Sequence, residues 1–175
     1  QPISPIFMTI KSHKGFSLIE MMVYITILVF MLLIIIDVVV SVAKAERIVV
    51  AVRNVEGSAI STLERMGREV RASDSIDVAN SAFGVDLGVL TLNATDANGT
   101  ARTVKFSLSG GRVHLMENGV DGGALSLSST TVTSLILTRF YSSSLVEGVR
   151  VQMTLTSGTS TAYRTETFYS SVTLR

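Results

Sequence analysis

The sequence predicts an α+β protein: a long N-terminal α-helix, membrane-spanning in its first half and amphipathic in its second, packed on an antiparallel β-sheet head. Three observations carry this. Residues 16–43 are apolar except for Ser17, Glu20, Tyr24, Thr26, Asp37 and Ser41. Apolar residues then recur at Ile48, Val52, Val55, Ala59, Leu63, Met66 and Val70, the three- and four-residue spacing of one helix face. After Ser75, short β-branched and aromatic runs are separated by Gly, Asn, Asp and Ser clusters, the signature of strands and turns.

The first apolar stretch exceeds the roughly 20 residues that a helix needs to cross a bilayer. Its backbone has no water to bond with in lipid, which enforces helix even through Val38-Val39-Val40. Glu20 and Asp37 lie 17 residues apart, or roughly 25 Å along a helix, so both acids can sit near opposite interfaces. A carboxylate in a spanning helix costs on the order of 2.5–3.5 kcal/mol near the centre and less toward the interface. Such a residue is by default functional and has a partner. A Glu that merely snorkels to the interface is the rival reading. For Asp37 the simpler reading is that it ends the span; pairing with a Lys or Arg of another chain is the other.

Lys14-Gly15-Phe16-Ser17-Leu18-Ile19-Glu20, followed by the apolar run from Met21 to Ile36, resembles the type III signal peptide of the type IV pilin and type II secretion pseudopilin superfamily. The resemblance implies cleavage by a prepilin peptidase between Gly15 and Phe16 and N-methylation of Phe16. It also implies filament assembly through Glu20, which pairs with the free terminal amine of a neighbouring subunit. Implied partners are other pilin or pseudopilin subunits, the prepilin peptidase and an inner-membrane assembly platform. Many members carry a proline where this chain has Asp37. The familiar kink is therefore not encoded there.

Four segments are expected: a leader over 1–15, a transmembrane and polymerisation segment over 16–43, an amphipathic helix over 44–72, and a β-rich extracytoplasmic head over 73–175. Met8 begins an eight-residue leader of suitable length, which sets residues 1–7 apart. Lys11 and Lys14 precede the span, so the positive-inside rule places the leader in the cytoplasm and the head outside the inner membrane. A secretory signal with cleavage after the apolar run fits poorly, because Ser41-Val42-Ala43 is the nearest approach to a small-residue site.

In the amphipathic segment, Glu64 and Arg68 form an i,i+4 pair in the favourable order. Gly57 and Gly67 either admit a close neighbour or soften the helix. Ser73-Asp74-Ser75 reads as the helix breaker. About three heptads of apolar stripe leave a coiled-coil dimer as an alternative use of this face. Strands are expected at Gly88–Leu92, Arg102–Leu108, Arg112–Met116, Thr131–Tyr141, Gly148–Leu155 and Arg164–Leu174, in one sheet covering the outer half of the helix. Ser109-Gly110-Gly111 is a tight hairpin turn, Asn118-Gly119 and Asp121-Gly122-Gly123 mark a second turn region, and 80–85 and 156–162 are loops. The order of the hairpin at 106–113, the runs at 137–141 and 148–155, and the closing 168–175 resembles the J/W class of minor pilins and pseudopilins. That resemblance implies a subunit at or near the filament tip.

Other chemistry is sparse. There is no Cys, hence no disulfide and no thiolate catalysis. From Phe16 onward the chain holds 13 basic and 14 acidic side chains, which gives no basic surface for nucleic acid. Asp96-Ala97-Asn98-Gly99 opens like a calcium loop, but Ser107 stands where the closing Glu belongs, and a hairpin turn explains the segment better. Asn93 and Asn98 begin N-x-T sequons. His13 lies in the leader, and His114 stands alone in a strand. No catalytic triad, zinc motif or phosphate loop occurs. No enzymatic activity, no metal and no cofactor are expected. A membrane-anchored module that captures DNA, a surface or secreted cargo is the alternative function; an anchored enzyme is a third.

Overall fold

A computed structural model describes residues 15–142, 146–159 and 162–174. The chain divides into two compact units, Gln1–Val42 and Ala43–Arg175. Helix α1, Leu18–Ala72, belongs to both. Eight strands follow: β1 Ser73–Ile76, β2 Leu90–Thr95, β3 Ala101–Ser109, β4 Arg112–Glu117, β5 Val120–Ala124, β6 Thr130–Ser142, β7 Val146–Thr159 and β8 Ala162–Thr173. The expected α+β architecture is present: one long helix packed on antiparallel sheet.

The head contains two sheets where one was expected. β1 to β5 form a five-stranded antiparallel meander, and β6 to β8 form a separate three-stranded one. The helix ends at Ala72, where Ser73-Asp74-Ser75 was expected to break it, and these residues pass at once into strand β1, pairing with β2 through Ser73↔Ala94 and Ile76↔Leu92. Two expectations about loops are corrected. Asp121-Gly122-Gly123 lies in strand β5, with Met116↔Asp121 and Glu117↔Val120. The 156–162 loop shrinks as well, since β7 continues to Thr159 and pairs with Ala162 of β8.

The turn chemistry follows the residues. Ser109 faces Arg112 across Gly110-Gly111, whose φ angles of 57° and 71° are those of a type I′ hairpin. Gly111 has a second task. Its carbonyl accepts from Val132 N–H at 2.8 Å, and a Cβ there would fall 2.8 Å from Thr131 Cγ2. The hairpin thus touches β6 where only glycine fits. Asp96 Oδ1 accepts from the N–H groups of Asn98 and Thr100, both at 2.8 Å, so the segment once compared with a calcium loop is the β2–β3 turn.

Within the second unit, α1 buries Ala51, Val55, Ser58, Ala59, Thr62, Met66, Gly67, Glu69 and Val70. This face is rotated from the expected stripe: Ile48 is exposed, and Val52 and Leu63 are only half buried. Small residues take the places that approach the sheets. At Gly67 a Cβ would meet Val172 Cγ2 of β8 at 3.4 Å, whereas Gly57 has open space around it. Ser58 Oγ accepts from Leu127 N–H at 3.0 Å and lies 2.9 Å from Thr130 Oγ1. The core adds Leu90, Leu92, Val104 and Phe106 from one sheet and Leu135, Leu137, Met153 and Leu155 from the other, all fully buried.

Glu69 is the one acid on the buried face. Arg65 stands 2.9 Å and Arg102 of β3 2.7 Å from its two oxygens. Both guanidiniums also reach Glu117 of β4, at 3.7 and 3.4 Å. Among the described residues the expected Glu64–Arg68 pair does not form; both side chains are exposed. Asp86 fastens the 77–89 segment to β6. Its carboxylate accepts from Ser134 Oγ at 2.8 Å, Leu87 N–H at 2.9 Å and Leu135 N–H at 3.2 Å. Those bonds, the Ser134 hydroxyl first, hold its pKa below the ordinary Asp value.

Candidate functional site

The chemistry singled out in the sequence falls on the described part of the first unit, Gly15–Val42. Gly15, Phe16 and Ser17 are non-helical, and α1 starts at Leu18. Ser17 closes the first turn by accepting Met21 N–H at 3.2 Å. The Gly15–Phe16 peptide bond therefore stands outside the helix, both residues exposed. A protease needs an extended, accessible backbone, and a bond locked into helical hydrogen bonding would deny it. Lys11, His13 and Lys14, and the Met8 start, lie outside the described residues.

Glu20 is in the first turn of α1, where the unsatisfied N–H groups of the helix favour negative charge. Its Oε1 accepts from Tyr24 Oη at 3.1 Å. The Tyr24 ring meets Phe16 edge-on, with centroids 6.0 Å apart and planes at 72°, a favourable aromatic geometry. Tyr24 thus contacts both Phe16 and Glu20. Sequence reasoning passed over Tyr24. The signal was there, because positions 20 and 24 are one helical turn apart.

Thr26 satisfies its hydroxyl internally, donating to Met22 carbonyl at 2.8 Å. Among the described residues, no cation lies within ion-pair distance of Glu20 or Asp37. A phenol satisfies one lone pair of a carboxylate but leaves its charge uncompensated. The structure does not bring Glu20 and Asp37 together; they stay 17 residues apart along α1.

Around these groups the surface is apolar. The large hydrophobic side chains between Phe16 and Val42 are 43% to 79% exposed. This part of α1 is long and apolar enough to cross a membrane, and none of it is buried within the chain. Contiguous apolar surface on this scale is covered by lipid or by other protein.

His114 is not alone, as the sequence suggested. Its Nδ1 lies 2.9 Å from Asp121 Oδ2 across the β4–β5 pairing. Asp121 also accepts Gly123 N–H at 2.8 Å, and that bond, followed by His114, lowers its pKa. Among the described residues no group of His, Cys, Asp and Glu side chains is arranged to hold a metal ion.

This part of the chain thus combines a helix of exposed apolar side chains, long enough to cross a membrane, with one acid in its first turn and an exposed Gly–Phe bond before it. A family model described as the prokaryotic N-terminal methylation motif matches residues 10–36. The match spans the Gly15–Phe16 bond, Glu20 and Tyr24. The chain thus carries a type IV pilin-like N-terminal signal, whose members are processed by prepilin peptidase. No curated protein and no solved structure matches the chain.

Proposed function

We propose that this protein is a minor pilin or pseudopilin. Prepilin peptidase cuts between Gly15 and Phe16 and methylates the new amine of Phe16. The mature chain waits in the inner membrane, head outside, and is drawn by the assembly platform into a type IV pilus or secretion pseudopilus. Its role is structural rather than catalytic. The strand pattern of the head, like that of the J/W class, favours a position at or near the filament tip.

The observation that carries this reading is the acid four residues beyond Phe16, set within the methylation motif on an exposed apolar helix. A carboxylate drawn into a filament core without a counter-charge is costly. The amine that cleavage creates on a neighbouring subunit supplies the counter-charge, which couples processing to assembly. Asp37 serves to end the span and lies free to pair with a cation of another subunit.

The test is Glu20→Ala in the native host. The variant is expected to reach the membrane at wild-type level and to be cleaved, yet to be lost from sheared filaments. Incorporation at the wild-type level would remove the basis of the proposal.

A further inference from the structure

Tyr24 makes two contacts that nothing in the fold requires. Among the described residues it is half exposed on a helix face that packs against no other element. Its hydroxyl bonds Glu20 Oε1, and its ring holds Phe16. Core packing explains neither contact. In lipid a phenolic hydroxyl also seeks a partner, so the pair satisfies two polar groups that would each be costly alone.

We infer that Tyr24 is a positioning residue for Glu20 during assembly, a role that rests on the proposed pairing of Glu20 with a neighbour's amine. Tyr24 occupies one carboxylate oxygen and thereby fixes the side-chain rotamer. Among the described residues the other oxygen, Oε2, carries no hydrogen bond. It is the face presented to an incoming ammonium group. A free Glu side chain loses rotamer freedom when it is fixed. Tyr24 removes part of that cost before the neighbour arrives, which is preorganisation.

Tyr24→Phe isolates the hydroxyl, since it keeps the ring and its contact with Phe16. The full-length chain is expressed in its own host as wild type, Tyr24→Phe, Glu20→Asp, the double variant and Glu20→Ala. Processing is read by N-terminal sequencing. Incorporation is read as the filament pool divided by the membrane pool, which corrects for any loss of expression. Tyr24→Phe is expected to be processed normally and incorporated about tenfold less, the scale of one hydrogen bond to a charged group. Glu20→Asp withdraws the carboxylate by one methylene, out of reach of the hydroxyl. Adding Tyr24→Phe to it is then expected to change incorporation less than twofold. Full additivity in the double variant would assign Tyr24 a role independent of the acid and overturn the inference. So would normal incorporation of Tyr24→Phe beside a defective Glu20→Ala. Normal incorporation of Glu20→Ala would instead defeat the underlying assembly reading.

Discussion

Replacing Arg102 by Ala tests how the head is locked to its helix. Glu69 has a side chain 7% exposed and takes Arg102 at 2.7 Å and Arg65 at 2.9 Å. Removing one partner of a buried pair costs about 3–5 kcal/mol when the remaining charge is orphaned. Here Glu69 keeps Arg65, and Arg102 is itself 25% exposed, so the loss is smaller. One charge-assisted bond, about 1.5–3 kcal/mol before screening, sets the scale, and about 2 kcal/mol is expected. Glu117 is 46% exposed, and its contacts are 3.4 and 3.7 Å. As an exposed partner it should contribute only about 0–1 kcal/mol, so Glu117→Ala is the internal control. Urea titration in detergent, followed by near-ultraviolet circular dichroism, reads the difference. With m near 2 kcal/mol/M, Arg102→Ala should lower the midpoint by about 1 M and Glu117→Ala by less than about 0.5 M. Equal shifts for the two variants would refute the argument that burial of Glu69 makes its partners matter.

The same titration reads three further variants. Phe106→Ala empties a fully buried site and should cost about 3–5 kcal/mol, while Tyr169→Ala, 66% exposed, should cost less than about 0.5 kcal/mol. Thr62 is buried, and among the described residues its hydroxyl has no hydrogen-bond partner; Thr62→Val should therefore stabilise the head, by about 1 kcal/mol. Asp86 has a lowered pKa in the folded state. Its contribution is present above the unfolded value of 3.8 and is lost as pH falls through the folded one. Hydrogen exchange at Leu87 and Leu135 should accordingly rise below about pH 4, and Asp86→Asn should remove that step.

The helix and its end were legible because apolar length and periodicity are one-dimensional signals. The long strands β3, β6, β7 and β8 were legible because β-branched and aromatic residues cluster in them. β1, with sequence Ser-Asp-Ser-Ile, and β5, with sequence Val-Asp-Gly-Gly-Ala, were not. Both are outer strands of the five-stranded sheet; β5 buries no side chain fully and β1 only Ser73 and Ile76, so their Ser, Asp and Gly residues carry no strand pattern. The division into two sheets was hidden for a related reason: nothing local records which strand a strand avoids. The helix face was misjudged because hydrophobicity was weighed above size. Ser58, Thr62 and Gly67 are buried where neighbours approach closely, and Glu69 is buried because Arg65 and Arg102 neutralise it.

At the candidate site the acid was visible as an anomaly in an apolar run, and Gly15 and Phe16 were visible as a motif. Tyr24 was not singled out, since a tyrosine among Val, Ile and Met looks like one more large side chain until its hydroxyl has an address. The His114–Asp121 contact was hidden in the same way as β5, because it depends on the β4–β5 register.

The central claim is that cleavage at Gly15–Phe16 creates the mature helix. Intact mass and N-terminal sequencing of the chain, co-expressed with a prepilin peptidase, test it most directly. The account predicts a product that begins at N-methylated Phe16. A chain recovered from the same cells with Gly15 still joined to Phe16 would contradict it.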